Sequence, residues 1–112
     1  MHSIVTAVLR VRESREMLIH IVCWKYKEDI NETERDAHRE KLRALESVIP
    51  EVRRLAVGKD VLHLERSFDT GLVVDFEDAD ALQRYTDHPQ HVEVAMLGKI
   101  IAEKVVSVDF VV

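Results

Sequence analysis

Between Ile19 and Lys27 the chain is β-branched, aromatic or apolar on both alternating sets, with His20, Val22, Trp24 and Tyr26 on one and Ile19, Ile21 and Cys23 on the other. A strand with one wet face alternates apolar and polar positions, so this run predicts a strand covered on both faces. Glu28-Asp29-Ile30 then leads into Asn31-Glu32-Thr33-Glu34, an N-cap followed three residues later by a carboxylate. From there His38, Leu42, Leu45 and Ile49 recur at helical spacing, which predicts a helix to about Ile49 that stops before Pro50 and turns its charged face to water.

Arg53 to Val57 reads as a second strand ending near Gly58, and a polar connection over Lys59 to Arg66 separates it from a third. In that third strand Phe68, Thr70, Leu72, Val74 and Phe76 share one face, with Asp69, Gly71, Val73 and Asp75 on the other. Asp78 or Asp80 can cap a helix containing Leu82 and Tyr85, the break at Pro89 opens a further helix to about Ile101, and Lys104 to Val112 forms a last strand with Val106, Val108 and Phe110 on one face. The order β-α-β-β-α-β predicts an α+β, ferredoxin-like subunit: a four-stranded antiparallel sheet with its helices on one side. Apolar residues on the other side of the strands then call for a second sheet, so a homodimer packed face to face as a dimeric α/β barrel is expected.

The most chemically informative stretch is Tyr85-Thr86-Asp87-His88-Pro89-Gln90-His91. Proline disfavours helix in the residue before it and is well suited to the first helical turn, so His88 should end one helix and Pro89 begin the next. That corner can swing His91 back toward Tyr85, placing a phenol beside an imidazole. Two readings stay open at this point: a proton-transfer site, or a polar corner in which the two rings bond to each other.

Composition narrows the function classes. With 112 residues, 46% of them hydrophobic and 33% charged, the chain fits one globular domain, and its formal charge of −5 offers no clustered cationic footprint for DNA or RNA. No apolar run approaches the roughly 20 residues that span a bilayer, so no membrane partner is expected. Cys23 is the single cysteine and sits in an apolar strand, which predicts a packed thiol in a reducing, cytoplasmic setting. His20, His38, His88 and His91 suit a transition metal by chemistry alone, but no His-Glu-x-x-His or cysteine pair accompanies them, and no metal site or cofactor is expected. His2 and His63 have no supporting constellation. Residues 1–16 read as an N-terminal extension of unassigned structure, leaving 17–112 as the domain.

Several of these stretches, in order, resemble the stress-responsive dimeric A/B barrel (Dabb) family: His20-Ile21-Val22-Cys23-Trp24-Lys25-Tyr26-Lys27, Ile49-Pro50-Glu51-Val52, Val57-Gly58-Lys59-Asp60, Asp75-Phe76-Glu77, Tyr85 through Val92, and Val108-Asp109-Phe110. The resemblance implies a homodimer and a pocket between the sheet and the helices of one subunit. In the family's plant polyketide cyclases a Tyr and a His at the positions matching Tyr85 and His91 are implicated in an intramolecular aldol closure, and His20 and His88 match polar residues near that pocket. By this resemblance His91 and Tyr85 are the catalytic candidates, and His20, Val22, Trp24, His38, Leu42 and His88 the substrate-binding ones. Those cyclases carry large aromatic residues on the first helix where this chain has His38 and Leu42, so a long alkyl polyketide is not the expected ligand. The resulting expectation is a cofactor-independent enzyme acting on an enolisable carbonyl compound. The alternative is a non-catalytic, stress-associated or small-molecule-binding homodimer.

Overall fold

The computed structural model describes residues 16–112. The extension expected over 1–16 therefore lies, apart from Glu16, outside the described residues. The elements run β1 (Leu18–Tyr26), α1 (Glu32–Val48), β2 (Arg54–Lys59), β3 (Thr70–Phe76), α2 (Ala79–Asp87), α3 (Pro89–Ile101) and β4 (Ala102–Val111). The strands form one antiparallel sheet in the order β2-β3-β1-β4. This is the ferredoxin-like arrangement predicted from the pattern. The third strand starts at Thr70 rather than Phe68, because Asp69 turns the chain: its carboxylate accepts from the Tyr26 backbone N–H at 2.8 Å and its own N–H donates to the Trp24 carbonyl at 2.9 Å.

Local chemistry accounts for the helix limits. Asn31 and Glu34 form a reciprocal capping box at the start of α1, and the chain leaves the helix at Ile49, one residue before Pro50. Of the two possible caps for α2, Asp78 is the one used, its side chain accepting from Ala81 N at 2.8 Å.

The alternation of β1 sorts the molecule into an inner and an outer face. Leu18, Val22, Trp24 and Tyr26 are buried with Thr70, Leu72, Val74 and Phe76 of β3 beneath the α1 stripe of His38, Leu42 and Leu45. Ile19, Ile21 and Cys23 point the other way and align with Phe110, Val108 and Val106 of β4. Nothing within the described chain covers that outer face, where Val106, Val108 and Phe110 are all exposed. Among the described residues no helix is long and apolar enough to cross a membrane.

Candidate functional site

The Tyr85–His91 stretch folds into the corner that its proline dictates. His88 has φ −62° and ψ 130°, the extended conformation that a following proline favours, and its N–H closes α2 on the Tyr85 carbonyl at 3.2 Å. The His88 ring then caps α3, Nδ1 accepting from Gln90 N at 3.2 Å. Its side chain is thus engaged in building the corner.

Tyr85 lies on the inner side of α2 with no solvent exposure. Its ring packs against Phe76 (4.9 Å between centroids), His91 (4.4 Å) and His20 (6.2 Å). The phenol and His91 meet as predicted but do not bond to each other: the Tyr85 hydroxyl is buried without a hydrogen-bond partner among the described residues, while His91 Nδ1 is 3.0 Å from the Thr86 carbonyl. A carbonyl only accepts, so Nδ1 carries the proton and Nε2 keeps its lone pair. Burial lowers the His91 pKa, with a smaller contribution from the neighbouring His20 and His88, against an opposing pull from the Thr86 bond. Burial raises that of Tyr85. The pair at neutral pH is therefore a neutral imidazole and an un-ionised phenol.

β1 and β4 supply the third ring and its partner. His20 and Asp109 are paired in register, with Nδ1 and Oδ1 2.5 Å apart. The carboxylate accepts from Nδ1–H, which fixes the orientation of the His20 ring beside that of Tyr85. Asp109 was not among the site residues expected from the sequence. The signal available was its parity: Val108 and Phe110 take the outer face, so Asp109 must take the inner one, directly across from His20.

The remaining expected site residues belong elsewhere. Val22, Trp24, His38 and Leu42 are all in the packed core. His38 belongs to a second polar cluster in which the Tyr26 hydroxyl lies 2.7 Å from His38 Nδ1 and 2.9 Å from Thr70 Oγ1, and Arg39 Nη1 donates to Thr70 Oγ1 at 2.8 Å. Arg39 is buried too, and its other terminal nitrogen meets Glu32 and Asp36 at 2.7 and 2.6 Å. Trp24 packs edge-on to His38 at 5.1 Å, and α3 reaches both rings through Gly98. Gly98 follows His91 by seven residues, so the two clusters sit roughly 10 Å apart along α3.

None of the four best-defined hollows is lined by Tyr85, His91, His20 or Asp109, although one reaches the second cluster at Thr70 and another at Glu32 and Arg39. The largest, about 600 Å³, is on the outer sheet face, and another of about 480 Å³ runs between α1 and α3, lined by Leu45, Val48, Val94 and Leu97 among others. The space between sheet and helices beside Tyr85, where the resemblance implies a pocket, is instead occupied by packed side chains: Phe76, His91 and His20 enclose the phenol, and Trp24 and His38 fill the gap under Gly98. Among the described residues no three His, Cys, Asp or Glu side chains converge closely enough to hold a metal ion.

Comparison with known proteins places this geometry in context. Residues 18–112 match the Stress responsive A/B Barrel Domain family. The chain is 32% identical over 94 residues to a stress-response A/B barrel domain-containing protein of Arabidopsis thaliana, spanning 81% of this chain and 82% of that one. It is 27% identical over 93 residues to olivetolic acid cyclase of Cannabis sativa, spanning 81% and 92%. Among solved structures, a dimeric protein of ferredoxin-like fold from Bacteroides fragilis superposes with a TM-score of 0.74 at 26% identity, over 84% of this chain and 94% of that one.

Proposed function

The chain belongs to the stress-responsive A/B barrel domain family, and from that premise we propose a cytoplasmic, stress-associated homodimer that acts, without a cofactor, on a small enolisable carbonyl compound. His91 is the general base and Tyr85 the hydrogen-bond donor. The single observation that carries this reading is the Tyr85 hydroxyl, buried without a partner beside a neutral imidazole. An unsatisfied buried O–H costs free energy, and a substrate oxygen seated against it would relieve that cost. The similarity to a plant cyclase and to a dimeric ferredoxin-like protein supports both halves of the proposal.

In the proposed step, His91 Nε2 takes the proton α to the carbonyl. The C–H electron pair moves into the enolate, and the charge that develops on oxygen is held by the Tyr85 O–H. Where a second carbonyl lies in reach of the same molecule, the enolate carbon attacks it and the imidazolium returns its proton to the new alkoxide. His20, fixed by Asp109, stands beside the phenol and orients a polar group of the substrate.

The reading is tested by following exchange of the α-proton for deuterium in small 1,3-dicarbonyl compounds by NMR. His91→Ala should slow catalysed exchange by about 10²-fold or more and Tyr85→Phe by about ten-fold or more, in keeping with the usual contributions of a positioned base and of a single donor. Because burial lowers the His91 pKa, the rate should climb with pH to a plateau reached with a midpoint below 6.5. It should then stay level beyond pH 10, since burial keeps the Tyr85 proton in place. Exchange that is untouched in both variants removes the assignment. The non-catalytic reading rests on the closed packing around Tyr85; it requires no catalysed exchange in the parent protein.

A further inference from the structure

Strand register lays out the outer face of the sheet in rows. Arg54, Asp75, Ile19 and Phe110 form one row, Ala56, Val73, Ile21 and Val108 the next, and Gly58, Gly71, Cys23 and Val106 the third. Side-chain bulk grows toward Phe110 at one corner and vanishes at the other, where Gly58 and Gly71 face each other across β2 and β3. A Cβ on either glycine would meet no atom within 4 Å, and neither glycine has a positive φ. The fold of one chain therefore gives no reason for glycine at these two strand positions, where it lowers strand stability. Their effect is a hollow of about 600 Å³ whose lining includes Cys23, Ala56, both glycines and Val73, with Phe68 beside them. Diagonally opposite, Phe110 stands 41% exposed.

We propose that in the homodimer Phe110 of each copy seats in the Gly58–Gly71 hollow of the other, and that this exchange sets the angle at which the two sheets cross. The inference rests on the homodimer of the preceding section and adds its geometry. Knob and hollow are separated by four residues along the strands, roughly 13 Å, and by two to three strand spacings, roughly 10–14 Å. A two-fold axis in the interface plane that carries one onto the other must lie near 45° to the strands. Strands of the two sheets then cross at close to a right angle, the orthogonal class of sheet packing. Charge complementarity points to the same occupant. Asp75 Oδ2 lies 3.3 Å from Arg54 Nε, but its Oδ1 is buried with no hydrogen-bond partner among the described residues. The axis that seats Phe110 also brings Asp75 of one copy beside Arg54 of the other, which gives that oxygen a charge-assisted donor. A second copy of this chain answers the hollow, the exposed ring and the unfilled carboxylate oxygen together.

The test is a coupling experiment by sedimentation equilibrium on Gly71→Leu, Phe110→Ala and the double variant. Both positions are open within one chain, so circular dichroism should report native folding in all three. Each single change should raise the dimer dissociation constant about ten-fold or more, one by blocking the hollow and the other by leaving it empty. In the double variant the introduced leucine occupies the space that the phenyl ring vacates, and the constant should return to within about three-fold of the parent. A dimeric parent in which the two losses simply add overturns the Phe110 contact while leaving the homodimer intact. A monomeric parent overturns both.

Discussion

His38 shows what burial does to a single titratable residue. Its side chain has no solvent exposure, and burial, with help from the adjacent Arg39 guanidinium, pushes its pKa down to about 4. In the unfolded chain the same imidazole titrates near 6.5, so between these values the unfolded state holds a proton that the folded state refuses. The stability that neutral His38 contributes is complete above pH 6.5 and is lost as pH falls from there toward 4, by roughly 3 kcal/mol over the interval. Urea unfolding at pH 7.5 and at pH 4.5 should show a drop of this order in the parent protein. His38→Gln keeps a partner for the Tyr26 hydroxyl but cannot titrate, and should flatten the dependence to what His91 and the carboxylates leave. At this scale the sequence was only partly legible. Helical spacing placed His38 on the inward stripe, and the proline placed Tyr85 beside His91. The partners were not legible, because Tyr26–His38, Arg39–Thr70 and His20–Asp109 are contacts between elements whose registers no local pattern specifies. Arg39 is the clearest case: a charged residue next to the stripe reads as solvated, yet it is buried by pairing with Glu32, Asp36 and Thr70.

Helix α3 joins the two polar clusters, and one glycine decides how closely it can do so. A Cβ on Gly98 would stand 2.8 Å from Trp24 Nε1 and 3.2 Å from His38 Nε2. Neither ring can retreat freely, since Trp24 and His38 are themselves buried and packed edge to face. Gly98→Ala gains about 1 kcal/mol of helix propensity, while overpacking a rigid contact costs about 1–3 kcal/mol, so the contact term prevails. The variant should be destabilised by about 1 kcal/mol net, visible as a lower midpoint in urea at unchanged slope; a midpoint equal to or above the parent would mean that α3 shifts without resistance. The elements themselves were readable with little loss, since capping residues, Pro50 and Pro89 act within a few residues of where they stand. The missed start of β3 has the opposite origin: Phe68 continues the alternation, but Asp69 is held by backbone groups of β1, a long-range contact that overrides the local pattern.

The whole molecule was the scale at which pattern and structure agreed most directly. Strands apolar on both sets require two cover layers, and the described residues of one chain supply only the helical one. The row of Val106, Val108 and Phe110 remains exposed on β4, aligned with Ile19, Ile21 and Cys23 on β1. A second copy over this face would link stability to concentration, because association favours the folded state by mass action. The thermal midpoint of the parent protein should therefore fall on serial dilution. Val108 offers the cleanest way to break that link: it is 53% exposed within one chain, so Val108→Asp should fold, yet in the dimer it would bury an unpaired carboxylate near the middle of the interface. The variant should sediment as a monomer at concentrations where the parent is dimeric, and its midpoint should no longer depend on dilution. A variant that stays dimeric would move the association surface away from the sheet, and the apolar outer row would then need a different cover.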